Sequence, residues 1–293
     1  MERLSLTLAI GDYEHTRDLA TGQVPVQGVS LNVLNLPPEE AFFRFSFFRE
    51  WEVSEMSMGK YVSLRSQEDN GIAAIPVFPS RVFRQSMIYV REGGKIDRPE
   101  QLKGKRIGIP EWAQTAVIYS RGYLVHQAGV PLASCLNEML LAGDIDAVLS
   151  ARPPRSFGSG IQRLFPDYET VEAAYFRETG IFPIMHVIVI KADVLQRHPW
   201  LAMNLYKAFD EAKRRSVERL SDITASHAPL AWLAPYTERM KALFGEDIWP
   251  YGLEKNRTTL QAFVDFAFEQ GVCHRRLELE ELFPKQVLTS FKV

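Results

Sequence analysis

Histidine and arginine side chains beside apolar runs are the residues of this chain best suited to chemistry. His186 lies in the apolar run 184–190, and an imidazole, which titrates near neutral pH, suits proton delivery. Arg81 and Arg84 follow another apolar run, and a guanidinium offers a planar fork that matches a carboxylate. Together these residues predict a site that holds an acid and protonates it. A buried core histidine and surface arginines in ion pairs remain the alternatives.

Three further candidates follow predicted strands in the middle of the chain. Arg152 comes after the apolar run 145–149, at the carboxyl end of a strand, where ligands gather in α/β sheets. Glu111 and Thr115 lie where a strand passes into a helix, and the free N–H groups there attract anions. We therefore predict that Arg152 and Thr115 bind substrate and that Glu111 is a catalytic acid. A solvated loop arginine and an ordinary first-turn helix glutamate are the alternatives.

The first sixty residues contribute four more polar candidates. Asp12 and Tyr13 end the first strand, and Asp12 could accept a hydroxyl proton, orient a histidine, or bond its own turn. Ser57 is a possible donor to a carboxylate. Glu55 would bind substrate, cap a helix or pair with an arginine. We predict Asp12 as catalytic and Tyr13, Glu55 and Ser57 as substrate-binding residues, with His15 as a reserve candidate.

Metal and nucleotide motifs give no comparable signal. No pair of ligands with metal-site spacing has a confirming context, and neither a glycine-rich dinucleotide fingerprint nor a P-loop is present. Five phenylalanines between positions 42 and 48 recur at helical spacing, which is more typical of a core than of a cofactor site. We expect no metal, no nucleotide and no organic cofactor, and a single divalent ion held by scattered ligands is the alternative.

Composition limits the classes of partner. With 46% hydrophobic and 24% charged residues, the chain is expected to form a globular core. A net charge of −2 gives no field that would attract nucleic acid or an anionic membrane. The N-terminus lacks the pattern of an export signal, and no apolar run is long enough to span a bilayer. We therefore expect a cytoplasmic protein whose partner is a small molecule, with a homo-oligomer possible.

Alternating strand and helix patterns predict an α/β protein of two lobes. Strands are expected near 4–10, 29–34, 52–57, 72–78, 106–109, 145–149 and 184–190, and mostly helix follows from 199 onward. If the C-terminal helices pack on the first lobe, that lobe comprises residues 1–82 and 189–293, and the inserted second lobe comprises 83–188. The sheets would be parallel or mixed and flanked by helices, with a ligand cleft between the lobes.

One junction departs from this pattern. The helix that ends near Gly129 runs through Val130 and Pro131 almost directly into a second predicted helix at 136–142, where a strand–helix–strand lobe should have a strand. Either the second lobe is trimmed here, or a segment is missing from the sequence at this point.

Several short sequence motifs resemble those of the 4,5-dihydroxyphthalate decarboxylase family, and they occur in the same order along nearly the whole chain. The more specific ones are Pro76–Arg84, Phe182–His186 and Phe244–Gly252, and they are accompanied by Ala9–Tyr13, Ser54–Ser57, Leu102–Gly108, Gly143–Ala147 and Ser150–Pro154. The resemblance implies a fold similar to type II periplasmic binding proteins. Members of this family usually have some tens more residues at the junction near Gly129.

The resemblance also implies an activity, namely the decarboxylation of hydroxylated phthalate-type dicarboxylates. Direct loss of CO2 would leave an aryl carbanion, so a route that first protonates the ring carbon bearing the carboxylate is preferable. Such a site needs cations for the carboxylates, a proton donor over the ring and a group that polarises the hydroxyl. Cofactor-independent carbon–carbon lyase chemistry is therefore expected. The alternatives are a non-enzymatic solute-binding protein, another lyase of this fold, and an effector-sensing domain.

Overall fold

The computed structural model describes residues 3–67, 71–130, 140 and 144–288. Its strands are β1 (Leu4–Ile10), β2 (Val29–Asn35), β3 (Val53–Ser57), β4 (Ile72–Ile75), β5 (Ile88–Arg91), β6 (Ile107–Gly108), β7 (Ala147–Leu149), β8 (Ile161–Arg163) and β9 (His186–Lys191). Its α-helices are α1 (Arg17–Ala20), α2 (Pro38–Phe48), α3 (Met58–Ser66), α4 (Thr115–His126), α5 (Tyr168–Thr179), α6 (Ala192–Arg197), α7 (Leu201–Leu220), α8 (Leu233–Phe244) and α9 (Arg257–Glu269). Short 3-10 turns cover Glu14–Thr16, Gln85–Met87, Pro99–Leu102, Glu254–Asn256, Leu279–Leu282 and Lys285–Val287.

The first sheet has the strand order β2-β1-β3-β9-β4. β1 runs parallel to β2 and β3, whereas β9 runs antiparallel to β3 and β4. β9 is buried along 187–190, because helices cover both faces of the sheet and leave no solvated side for polar residues. Leu205 and Phe209 of α7 and Phe263 of α9 share one hydrophobic core with these strands. The C-terminal helices therefore pack on the first sheet.

The second sheet has the order β6-β7-β5-β8. Only β6 and β7 are parallel within the described chain, and β5 pairs antiparallel with both β7 and β8. The sequence pattern missed β8, which has three residues and one buried side chain, and α5, in which only Tyr175 is buried. Neither segment carries enough apolar residues to show a periodicity. The two mixed sheets flanked by helices confirm the predicted α/β class.

The two predicted lobe boundaries lie at different positions relative to the sheets. The first boundary, at 82/83, lies between β4 and β5, where the chain leaves the first sheet. The second, at 188/189, falls inside β9, and β9 pairs only with strands of the first sheet in the described chain. The sheets thus favour a return crossing before His186. The predicted helix at 136–142 lies outside the described residues except for Leu140, and so does Pro131.

None of the helices in the described ranges combines the length and apolarity needed to cross a membrane.

Candidate active site

A buried carboxylate on the central strand β3 organises the candidate site. Glu55 is fully buried, and its Oε1 lies 2.5 Å from Nδ1 of His186 and accepts a 2.7 Å hydrogen bond from the Tyr13 hydroxyl. Its Oε2 accepts a 2.8 Å bond from the Gly11 backbone N–H. All three donors thus converge on one carboxylate, as a buried charge requires.

Strand register explains why these residues meet. In the antiparallel β3–β9 pair, Ser57 lies opposite His186 and Glu55 lies opposite Ile188, so all four share one face of the sheet. Glu55 and His186 are diagonal neighbours on that face, within reach of long side chains. The parallel β1–β3 pair carries the chain that follows β1, which contains Tyr13, to the same end of the sheet.

The electrostatics of the cluster favour a carboxylate beside a neutral phenol. Burial alone would raise the pKa of Glu55, but the hydrogen bonds and charge of His186, with the Tyr13 and Gly11 bonds, outweigh it and lower that pKa. Burial and the Glu55 charge raise the pKa of Tyr13 well above its ordinary value, so its hydroxyl keeps its proton and donates. Glu55 is therefore an ionised acceptor that fixes the ring of His186.

The imidazole of His186 is held on one side and partly open. Phe42 of α2 packs edge-on against it, with 4.8 Å between ring centroids. The His186 side chain is 19% exposed, in contrast to the fully buried Glu55. Because Glu55 holds Nδ1, the other ring nitrogen, Nε2, is the one available to a ligand.

Two helix N-termini meet beside this cluster. Ser57 precedes α3, and its Oγ lies 2.9 Å from Oγ1 of Thr115, the first residue of α4, which follows the second-sheet strand β6. The N–H of Gly59 also donates to Thr115 Oγ1, at 2.9 Å. A Cβ on Gly59 would lie 2.6 Å from the Ala113 carbonyl oxygen, so only glycine permits this approach. The positive ends of both helix dipoles are therefore close together, an arrangement that suits an anion.

Arg81 and Arg84 are buried beside the segment that leads into β9. Arg84 directs its guanidinium at the Met185 sulfur, with Nε 3.1 Å away, and no carboxylate in the described chain forms an ion pair with it. Arg81 donates to the carbonyls of Phe182 and Pro250 and to the Asn256 side chain. Both side chains are therefore buried, and neither is a surface arginine in an ion pair, which is the alternative prediction. Burial lowers the pKa of both to about 10, so both stay charged at neutral pH.

The remaining candidates make no hydrogen bond or ion pair with Glu55 or His186 in the described chain. Arg152 is exposed and forms an ion pair with exposed Glu39 of α2. Asp12 is exposed and makes no side-chain hydrogen bond or ion pair in the part of the chain that the structure describes, and Glu111 is likewise exposed. The imidazole is thus oriented by Glu55, not by Asp12, and Glu55 pairs with a histidine, not with an arginine. The structure therefore does not bring Arg81, Arg84, Arg152 and His186 together at one point.

Two members of the site were not predicted from the sequence. Gly11 contributes a backbone N–H, and Phe42 contributes a ring edge to His186. The phenylalanine spacing places Phe42 on a helix but does not say what that helix faces. Backbone donors leave no signal in residue type beyond the presence of a glycine. His15, the reserve candidate, contacts Tyr13 at 5.4 Å between rings but does not touch Glu55 or His186 in the described contacts.

Substitution of Gly11 by alanine tests this geometry. The added Cβ would lie 2.8 Å from Cε2 of Tyr13, so the phenol ring must move and its bond to Glu55 must weaken. For the reaction proposed below, we expect kcat to fall about tenfold, because weakening one hydrogen bond by about 1.4 kcal/mol changes a rate by that factor. The fold should be retained. Steady-state kinetics and circular dichroism would measure both effects. Tyr13→Phe is the matched variant, and full activity in both would contradict a role for this bond.

Within the described ranges, no group of three or more His, Cys, Asp or Glu side chains is arranged to hold a metal ion.

Comparisons with known proteins add family evidence. No family model matches the chain. A 4,5-dihydroxyphthalate decarboxylase of Comamonas testosteroni is 32% identical over all of this chain and all of its own length. One of Pseudomonas putida is 29% identical over 60% of this chain and 83% of its own. The first alignment spans 330 positions against 293 residues here, so that relative has residues without a counterpart in this chain.

Solved structures show the fold. The periplasmic aliphatic sulphonate binding protein SsuA of Escherichia coli aligns with a TM-score of 0.57 at 12% identity, covering 98% of this chain and 99% of its own. A Candida albicans gene product with the generic periplasmic binding protein fold gives 0.54 at 13%, covering 98% of each chain. The desulfurization enzyme DSZB gives 0.50 at 15%, covering 96% of each. The fold is therefore that of periplasmic binding proteins, and by its full-length relative this chain belongs to the 4,5-dihydroxyphthalate decarboxylase family.

Proposed function

We propose that this protein decarboxylates hydroxylated phthalate-type dicarboxylates, converting 4,5-dihydroxyphthalate to protocatechuate and CO2. The observation that carries the proposal is the partly open His186 imidazole, fixed by buried Glu55, next to two converging helix N-termini. A proton donor beside an anion site is what ring-carbon protonation of a dicarboxylate requires. The family relationship supports the same substrate class.

Substrate binding is assigned to groups on both sides of the Ser57–Thr115 contact. The hydroxyls of Ser57 and Thr115 and the first N–H groups of α4 would donate to the carboxylates, and the dipole of α3 would add to the positive potential. Arg84, a buried cation without a carboxylate partner in the described chain, supplies positive charge behind Met185. Arg81 adds a second buried positive charge at longer range. The Arg152–Glu39 pair would have to open for Arg152 to contact substrate.

The proposed reaction has two bond changes. The ring carbon that bears one carboxylate takes a proton from Nε2 of His186, helped by electron density from the para hydroxyl. The bond from that carbon to the carboxylate then breaks, CO2 leaves, and the electron pair restores aromaticity. His186 regains a proton from solvent, so the sum is dicarboxylate plus one proton giving monocarboxylate plus CO2. No electron is gained or lost, and for this reason we propose cofactor independence.

Glu55 and Tyr13 have supporting roles in this scheme. The Glu55 carboxylate stabilises the charged imidazole and keeps its Nδ1 occupied, which directs Nε2 towards the ring carbon. The Tyr13 hydroxyl holds Glu55 and lies 3.4 Å from Nδ1. Asp12 and Glu111, both exposed, remain candidates for polarising the substrate hydroxyl. A cytoplasmic location and a homo-oligomer also remain predictions.

The direct test is turnover. Purified protein, with and without EDTA, is mixed with 4,5-dihydroxyphthalate, and CO2 and protocatechuate are measured. We expect stoichiometric CO2 and aromatic product, unaffected by the chelator. Saturable binding without any turnover would contradict the proposal and favour a solute-binding protein, an alternative that the binding proteins among the structural neighbours support. Phthalate without ring hydroxyls is the matched control and should bind without reacting.

A further inference from the structure

A cavity lies next to the Glu55 cluster and does not include it. It has a volume of about 640 Å³ and is lined by α5, α7 and α8, by the turn that contains His15, and by Arg81–Phe83. This volume is in the range of small-molecule sites in proteins. Neither Glu55 nor His186 lines it. The proposed proton transfer from His186 therefore takes place outside this space.

One wall of the cavity is aromatic. Phe83 stacks on Phe182 at 5.1 Å and Phe182 stacks on Phe244 at 4.6 Å, while Trp249 meets Phe182 edge-on at 5.5 Å. All four side chains line the cavity. Planar faces and edges of this kind pack well against another ring, so the wall suits a ligand that contains an aromatic ring.

Two buried nitrogens at the cavity have no hydrogen-bond partner in the described chain. They are Nε of Arg81 and Nε2 of His15. Arg81 is 5% exposed and forms no ion pair with any described carboxylate; Asp247, which acts on it at longer range, is already paired with Lys213. Burial lowers the pKa of His15 to about 4, so its ring is neutral at pH 7. Unsatisfied buried polar groups are rare and indicate a missing partner.

Two more cations stand at the solvent side of the cavity. Arg177 and Arg239 are exposed lining residues, and neither forms an ion pair with a carboxylate in the part of the chain described. Arg239 lies over the ring of Tyr236, at 5.2 Å. With Arg81, three guanidinium groups without a paired carboxylate therefore surround the cavity.

The acidic lining residues do not cancel this positive charge. Glu14 is paired with Arg219, and Glu172 accepts the Ser86 N–H while burial raises its pKa. Glu169, in the first turn of α5, is the remaining acidic lining residue. Three guanidinium groups at the cavity thus outnumber its two unpaired carboxylates, exposed Glu169 and partly buried Glu172. The net positive charge favours an anionic ligand in the cavity.

We propose that this cavity binds a small aromatic carboxylate at a site separate from the His186 site. The ring packs on the Phe182–Trp249 wall, and the carboxylate meets the guanidinium groups. This proposal does not depend on the decarboxylase function. Because the His15 ring contacts both Trp249 and Tyr13, at 5.4 Å each, ligand binding here has a physical route to the Glu55 cluster.

Benzoate titrated calorimetrically into the full-length protein is the test. We expect saturable binding, and Val217→Trp, which fills the cavity from α7, should weaken one site by at least about tenfold. The double charge reversal Arg177→Glu with Arg239→Glu alters only exposed side chains and should weaken the same site by about tenfold. Arg91→Glu with Lys95→Glu reverses two exposed cations outside the cavity, changes the net charge by the same amount, and should bind as the parent does.

A neutral ligand separates charge recognition from ring packing. Benzyl alcohol has a similar shape without the carboxylate, and we expect it to bind at least about tenfold more weakly. The proposal is overturned if benzoate shows no saturable binding up to about 10 mM, an affinity too weak for a built site. It is equally overturned if the folded cavity variants keep every benzoate site of the parent, or if benzyl alcohol binds as tightly as benzoate.

Discussion

Replacing His186 by alanine is expected to lower kcat by about 10³-fold while substrate still binds. A positioned acid typically contributes 10²- to 10⁴-fold. The ring-carbon protonation has no other donor at the Glu55 cluster, because Tyr13 holds its proton tightly and Glu55 is ionised. Steady-state kinetics would give kcat, and calorimetry with 4,5-dihydroxyphthalate would give Kd. We expect Kd to change less than about threefold, since the groups assigned to carboxylate binding remain.

A matched control separates this effect from the general loss of an imidazole. His126 is exposed at the end of α4 and pairs with Glu269, away from the cluster. His126→Ala should therefore keep parental kcat. If His186→Ala retained parental turnover, His186 would not be the proton donor, and the ring would have to receive its proton from another group.

Replacing Glu55 by glutamine should lower kcat by about 10²-fold. Glutamine keeps the shape but removes the negative charge that holds the charged imidazole. Because its NH₂ group cannot accept, either Nδ1 of His186 or the Gly11 N–H loses its acceptor. Glu55 acts through His186, so it is a positioning residue. We expect kcat to fall with little change in Kd, because the groups assigned to carboxylate binding remain.

Stability against pH gives an independent readout for Glu55. Its pKa in the folded protein is lowered below the ordinary 4.5, so the ionised form is favoured by folding. Its contribution to the free energy of unfolding is thus complete above about pH 4.5 and is lost as pH falls through the folded pKa. Urea unfolding should show a stability gap between parent and Glu55→Gln that narrows below pH 4.5.

Glu52→Gln is the matched control for both measurements. Glu52 lies just before the same strand and accepts the Thr7 N–H at 2.9 Å, without contact to His186 in the described bonds. Glu52→Gln should leave kcat unchanged, and it should leave the dependence of the free energy of unfolding on pH unchanged. Equal losses in the Glu52 and Glu55 variants would indicate a general strand effect and contradict the positioning role.

Much of this architecture is determined locally by the sequence. The alternating and continuous apolar runs predict β1, β3, β7 and β9 to within a few residues, because burial on one or both faces dictates residue type at each position. Proline and acidic residues at 38–40 predict the start of α2. Strand ends and helix starts, in turn, select Tyr13, Ser57, Thr115 and His186 as candidates, since polar residues at those points are where α/β folds bind ligands.

Only the tertiary structure decides which candidates meet. Glu55 and His186 are 131 residues apart, and they meet because β3 and β9 pair in one register; a shift by one residue would place them on opposite faces. Residue type alone cannot separate Arg81, which donates to three protein acceptors, from exposed Arg152, which pairs with Glu39. Periodicity reports which face of an element is buried, but not which neighbour covers it. Local sequence therefore determines the elements and the candidate donors, and long-range packing determines the proton-donor cluster and the cavity lined by Arg81 and Trp249.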